Sequence, residues 1–186
     1  MELDQRFATG GEHELEELIA CYGEKLLRYA TSILYNHQDA EDVVQDVFIS
    51  AYQSRDCFDG KNLSAWLYKI TYNHSVNKLK KRKWLFFHDI KEEPAVYIED
   101  SFTMPEIMEA LKPLKPQERA LLYGRIMNGQ SYEELSKIMS SSPAALRKQY
   151  ERVKKKAAKY LNAYQFGTSE SCKIPYEIVC VKKGVE

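Results

Sequence analysis

The chain holds 186 residues, 44% of them hydrophobic, with 27 Lys and Arg balancing 27 Asp and Glu. That length fits one domain or two small ones, and that apolar share excludes wholesale disorder. No run approaches the ~20 apolar residues of a membrane span, and the opening MELDQRFATGG lacks the basic-then-apolar pattern of a secretory signal.

A cytoplasmic protein is therefore expected, with Cys21, Cys57, Cys172 and Cys180 as reduced thiols. No two of them form a C-x-x-C pair, and no histidine lies at zinc spacing. Neither a metal nor a cofactor is implied. The zero net charge hides a segregation. Residues 12–60 carry 11 acids against three bases, residues 61–83 seven bases and no acid, and residues 114–161 eleven bases against four acids. Two basic blocks alternating with acidic ones suggest two polyanion-binding patches and a separate acidic surface.

In chain order, residues 12–35 place Leu15, Leu18, Ile19, Tyr22, Leu26, Tyr29, Ala30 and Ile33 at helical spacing. A second helix follows, with Asp39 as its candidate cap. It carries Val43, Val44, Val47, Phe48 and Ala51 on one face and Asp42, Gln45 and Asp46 on the other. RDCFDGKN is a loop by composition, and a helix over about 64–82 begins at Ser64. Residues 85–104, with their acids and prolines, form a linker.

Helical pattern returns at Pro105. PEIMEALKPL is one short helix, and KPQERALLYGRIMNG is another, with Pro116 in its first turn and Gly129 as its C-cap. SYEELSKIM opens with the Ser131/Glu134 capping box. Three serines and a long basic helix starting at Pro143 follow. CKIPYEIVCVKK, inside the extension 163–186, has the β-branched content of a short strand. The expected architecture is all-α: two small helical domains, 1–84 and 105–162, joined by the linker.

The second basic block has the form of a helix-turn-helix. Leu135, Ile138 and Met139 of the first helix face the core, as do Ala145, Leu146, Tyr150, Val153 and Ala157 of the second. Ala144, Arg147, Lys148, Glu151, Arg152 and Lys155 remain outside. Arg147 and Lys148 suit guanine edges and Gln149 an adenine, while residues further along meet phosphate. An ordinary bundle with a solvated basic helix is the plain alternative.

In the first block, Trp66, Ile70, Asn73 and Asn77 stand at i, i+4, i+7 and i+11, one stripe that Lys80 and Lys81 extend. Amides that read unpaired base edges, aromatics that stack and cations that hold phosphate suit a melted strand. Leu67, Ile70 and Leu79 read better as core, and Trp66 fits either role. The acids Asp39, Asp42 and Asp46 read as a solvated face or as a docking surface for a basic protein. No clustered carboxylates, nucleophile elbow or P-loop indicate an enzyme.

Two long stretches, YGEKLLRYATSILYNHQDAEDVVQDVFISAYQSRDCFDGKNLSAWLYKITYNHSVNKLKKRK and LKPLKPQERALLYGRIMNGQSYEELSKIMSSSPAALRKQYERVKKKAAKYL, carry a resemblance. The first resembles region 2 of bacterial sigma-70 family factors, closest to the extracytoplasmic-function (ECF) group, and the second resembles their region 4. The resemblance implies a non-catalytic subunit that joins RNA polymerase core through its β′ and β subunits, recognises the −10 and −35 promoter elements and nucleates melting. It implies core binding by Asp39, Asp42, Gln45, Asp46 and Phe48. It implies −10 contacts by Phe58, Lys61, Asn62, Ser64, Trp66, Asn73, Asn77, Lys78, Lys80, Lys81 and Lys83. It implies −35 contacts by Ala144, Arg147, Lys148, Gln149, Arg152 and Lys155. An anti-sigma factor is a further implied partner.

Many relatives carry Asp where this chain has Asn77, and SPAALRKQ departs from the common start of the recognition helix, so promoter sequence is not transferred. The rival reading is a stand-alone helix-turn-helix regulator built on residues 114–161. That rival leaves the acidic helix and the Asn73/Asn77 stripe unused.

Overall fold

The computed structural model describes residues 3–86, Met108 and residues 111–167, and helix is the only regular form among them apart from one 3-10 turn at Arg55–Cys57. In chain order the helices are α1 (Leu3–Phe7), α2 (Glu12–Leu34), α3 (His37–Gln53), α4 (Leu63–Phe86), α5 (Pro116–Ile126), α6 (Tyr132–Met139) and α7 (Pro143–Gly167). The all-α expectation holds. Most of the expected linker, the strand-like segment at 173, Cys172 and Cys180 lie outside the described residues, whereas α4 runs two residues into the expected linker, to Phe86. Cys21 and Cys57 are free and exposed.

Helix α2 is central, packing against α3, α4 and α5. Its Leu18, Leu26 and Ile33 are fully buried, as is Leu67 of α4. Each removes about 1.5–3 kcal/mol of apolar exposure from water. Helices α1–α4 form one unit and α5–α7 the other, and they meet where α2 touches α5 and α4 touches α6. At that seam the buried Tyr29 ring meets Tyr68 edge-on at 5.1 Å and Tyr123 at 6.1 Å. Arg119 of α5 donates from Nη2 to the Ile33 carbonyl at 2.5 Å and lies over the Tyr35 ring.

Glutamate at the third helical position recurs as a start signal. Glu14, Glu118 and Glu134 accept the N–H of Gly11, Lys115 and Ser131 at 2.8, 2.8 and 2.7 Å. Only Ser131 completes the box, its Oγ accepting the Glu134 N–H at 3.1 Å.

Three local expectations are corrected. Asn36, not Asp39, caps α3: its Oδ1 accepts the Asp39 N–H at 2.9 Å, which places Asp39 in the first turn. Helix α5 ends on Met127 rather than Gly129, which stands two residues further on at φ +63° and turns the chain toward α6. Ala145 is exposed, not inward. Its N–H donates to the Ser142 hydroxyl at 3.3 Å, so it belongs to the capped first turn, before α7 reaches the core at Leu146.

Candidate nucleic-acid interface

The amides of the α4 stripe are on the surface. Asn73 and Asn77 are exposed, whereas Trp66, Ile70 and Leu79 are partly buried against the core. The expectation that Leu67, Ile70 and Leu79 serve the core is met. Trp66 serves as packing on one side: its ring lies 5.0 Å from Phe58 and 6.3 Å from Phe7. Phe58 is itself only 6% exposed. Lys80, Lys81 and Lys83 are exposed around the later turns of α4.

The loop before α4 is tightly specified. Asp59 Oδ1 accepts the Lys61 N–H at 3.0 Å. Gly60 and Asn62 both adopt positive φ, 72° and 51°, values that glycine and asparagine tolerate best. Asn62 Oδ1 accepts the Ala65 N–H at 2.9 Å, so this side chain starts α4. Lys61 is exposed, and Ser64 is half-buried beside the seam.

Sequence reading gave no role to α1, and the structure gives it one. Asp4 Oδ2 accepts the Leu63 N–H at 3.0 Å across 59 residues of chain. Arg6 forks onto both Glu17 oxygens at 2.8 and 2.7 Å, and Phe7 is buried beside Trp66. Residues 3–7 thus brace the first turn of α4 and the ring of Trp66.

The acidic face of α3 and the basic face of α4 adjoin. Lys78 Nζ lies 3.2 Å from Asp39 Oδ1 and 2.9 Å from Asp42 Oδ2, and Arg82 Nη1 lies 3.4 Å from Asp39 Oδ2. Partial burial works against the Lys78 charge, but the Asp42 and Asp39 carboxylates outweigh it and hold the ammonium above its usual pKa. Gln45 and Asp46 are exposed. Asp46 shares a groove of about 640 Å³ with His74, Asn77, Lys78, Lys80 and Lys81, so residues expected to serve two different partners line one surface.

Phe48 is only 8% exposed, yet its ring helps to line an apolar groove of about 740 Å³ between α2 and α3. Ile19 and Ile49, 45% and 54% exposed, also line it, with Leu15, Val44 and Tyr52. Ile19 was readable from the sequence only as part of a helical stripe.

On α7, Ala144, Arg147, Lys148, Arg152 and Lys155 are exposed and Gln149 is half-exposed. Leu146, Tyr150, Val153 and Ala157 turn inward. The Arg147 guanidinium stands 5.2 Å from the centre of the Tyr132 ring, and Arg125 lies 4.6 Å from the same ring. Tyr132 therefore orients Arg147, a role that the sequence reading did not assign. Among the described residues no group of His, Cys, Asp and Glu is placed to hold a metal ion, and no helix is long and apolar enough to cross a membrane.

The family model for sigma-70 region 2 matches residues 18–85. The ECF RNA polymerase sigma factor SigE of Mycolicibacterium smegmatis is 24% identical over 177 residues, which cover 88% of this chain and 69% of that one. SigW of Bacillus subtilis is 31% identical over 81 residues, 43% of each chain. The RNA polymerase sigma-H factor of Pseudomonas aeruginosa is 30% identical over 127 residues, 67% of this chain and 62% of its own.

Two solved structures share the fold. CnrH in complex with the cytosolic domain of CnrY superposes with a TM-score of 0.66 at 23% identity, covering 87% of this chain and 96% of that one. RpoE from Bartonella quintana, in complex with the anti-sigma factor NepR, gives 0.69 at 24% identity, covering 79% and 96%.

Proposed function

The chain belongs to the extracytoplasmic-function group of the sigma-70 family, and from that premise we propose that it brings RNA polymerase core to promoters, reads −10 and −35 elements and nucleates strand separation. The observation that carries this reading is the outward stripe of α4: two exposed amides, Asn73 and Asn77, on a helix that ends in exposed lysines. Duplex DNA hides the base edges that such amides read, so the combination suits a strand already splayed from its partner.

In this reading Asn73 and Asn77 read unpaired bases, while Trp66 backs the site from its seat against Phe58. Lys80, Lys81 and Lys83 hold phosphates. Arg147 and Lys148 meet base edges of the −35 duplex, Gln149 and Ala144 border them, and Arg152 and Lys155 meet its backbone. The β′ subunit docks on α3 through Gln45, Asp46 and the second oxygen of Asp42, with apolar contact in the α2–α3 groove. Region 4 reaches the β subunit. An anti-sigma protein is a further proposed partner, because the structurally similar RpoE is held by the anti-sigma factor NepR and CnrH by the cytosolic domain of CnrY.

The test is run-off transcription with core polymerase on promoters selected from the chain's own genome, with permanganate probing of strand opening. Asn73→Ala should cut open-complex formation roughly tenfold, since one base-reading contact is worth ~1–3 kcal/mol; Trp66→Ala, which removes the ring behind the site, should also slow opening, and both should spare closed-complex binding. Equal losses in both complexes would make α4 a scaffold. Tight, specific duplex binding without polymerase, and no transcript with it, would instead establish a self-sufficient regulator.

A further inference from the structure

Helix α4 carries both tryptophans of the chain, and the structure treats them oppositely. Trp66 is partly buried, its ring 5.0 Å from Phe58 and 6.3 Å from Phe7. Trp84 is 75% exposed, more than any other large apolar side chain among the described residues. Single apolar residues on a surface are ordinary. An indole, however, is among the largest apolar faces a side chain can present to a partner, and the place of this one on the helix says which partner.

At ~100° per residue, Trp84 falls within about 20° of both Asn73 and Asn77 around the helix axis. All three are exposed. The outward stripe of amides therefore runs on into an indole. Lys80 and Lys81, also exposed, flank Trp84 at about 40° and 60° on opposite sides. Lys78 and Arg82, the cations that face Asp39 and Asp42, point about 120–160° away from it. The indole thus shares its face with amides and uncompensated lysines, not with the ion pairs of α3.

No acid stands between Lys61 and Lys83. An apolar protein surface would cover the indole only by stripping water from the neighbouring ammonium groups. A nucleic-acid strand suits both, because its bases offer flat faces to the ring and its phosphates neutralise the lysines. In a duplex the bases are stacked on one another, so a base that meets Trp84 face to face is one already separated from its partner.

We propose that Trp84 stacks on an unpaired base of the separated strand, beyond the bases that Asn73 and Asn77 read. This rests on the proposed reading of α4 and extends its surface by one contact. Seven residues of helix lie between Asn77 and Trp84, a rise of about 10 Å, and nucleotides advance ~3.4 Å each, which sets the stacked base about three nucleotides from the one at Asn77. Lys80 and Lys81 hold the phosphates in between.

The test uses holoenzyme, made from the full chain and core polymerase, on a promoter selected from the chain's own genome. The non-template strand carries the fluorescent base 2-aminopurine, singly, at successive unpaired positions. Stacking on an indole dims that base, so one position should brighten with Trp84→Ala. It should lie about three nucleotides from the position whose brightness Asn77→Ala changes. Trp84→Ala should also shorten the lifetime of the open complex about tenfold, the scale of one base stacked on an aromatic ring. Trp84→Tyr should restore most of that lifetime, because a smaller ring still stacks. Assembly with core and the denaturation midpoint should not move, since the side chain is exposed. An open complex indifferent to Trp84→Ala would overturn this proposal alone. So would a tyrosine variant as impaired as the alanine one, or a loss that falls on assembly with core, which would make Trp84 a protein contact. A wild-type holoenzyme that opens no promoter would overturn the reading of α4 and this proposal with it.

Discussion

Helices α4 and α7 grow out of blocks with the same surplus of seven positive charges, yet the structure spends the two surpluses differently. On α4, Lys78 and Arg82 turn back onto Asp39 and Asp42 of the preceding helix. The stripe of amides and the lysines around it reach outward, with Trp84 near the helix end. On α7, Lys148, Arg152 and Lys155 stand exposed, and among the described residues Glu118 takes the flanking Lys156 at 3.2 Å. A run of positive charge in a sequence therefore does not measure what a helix offers to DNA. What packs beside the run decides how much of it is free, and that is a property of elements far away in the chain.

The largest expected effect lies on α7, where the proposal sets Arg147 and Lys148 against base edges. Arg147→Ala should cost about 1–3 kcal/mol in binding of a −35 duplex by the holoenzyme and relax preference at one base position. Competition with substituted duplexes would measure it. A uniform loss across sequences would make Arg147 another phosphate contact and erase one side of the contrast. Tyr132→Leu should produce part of the same loss, because it removes the ring that holds the guanidinium.

On α4 the corresponding lever is remote. Asp4→Ala removes a charged acceptor from the Leu63 N–H, and loss of a helix-start acceptor costs about 0.5–2 kcal/mol. The expected result is a lower denaturation midpoint together with slower strand opening, while −35 binding is retained. If opening keeps its rate despite the lost stability, α1 braces the fold without positioning Trp66.

These two cases also show what the sequence could convey. The helix-turn-helix was legible because its signals are local: Ser131 and Glu134 three apart, Pro143 at a first turn, Leu146 and Tyr150 at helical spacing. The Asn73/Asn77 face was legible from period alone. Asp39 was expected to cap α3, and Asn36 does so instead, because it stands before the helix and its Oδ1 accepts the first-turn N–H of Asp39 itself. Ala145 was misplaced because the first turn of α7 lies ahead of the core contact, so the inward stripe starts one residue later. Asp4 on Leu63, Lys78 on Asp42 and the Arg119 bond to Ile33 span 59, 36 and 86 residues. No period or spacing rule reaches that far, and for the same reason the packing of the two units on each other was not foreseen.

A smaller effect belongs to the capping box that sets the helix-turn-helix against α4. The Ser131 N–H and hydroxyl, with a lesser share from the Asn62 amide, hold the Glu134 carboxyl below its ordinary value of 4.5. A depressed carboxylate stabilises the fold above its unfolded pKa and loses that contribution as the pH falls through the folded one. Glu134→Gln should therefore be less stable by about 0.5–1 kcal/mol at neutral pH, and the gap should close on acidification below the ordinary carboxylate range. Denaturation of both proteins across that range checks it. A gap that stays constant would mean the carboxylate charge contributes nothing.

The smallest effect tests the contrast most directly, because it compares one lysine from each helix by the same measurement. If Lys155 meets one phosphate, Lys155→Ala should reduce the slope of log K against log salt by about 0.9, the counterions released per contact on duplex DNA. Lys78 starts from a different state. Its ammonium already has Asp39 and Asp42 as counterions, so engaging a phosphate would exchange one anionic partner for another and release few ions. Lys78→Ala should then change the slope by less than half as much. Its cost to stability should stay within about 1 kcal/mol, as for a partly exposed ion pair. Equal slope changes would mean that Lys78 leaves its carboxylates when the holoenzyme binds, freeing Asp39 and Asp42 for polymerase in the same step. The acidic and basic faces would then be two halves of one exchange.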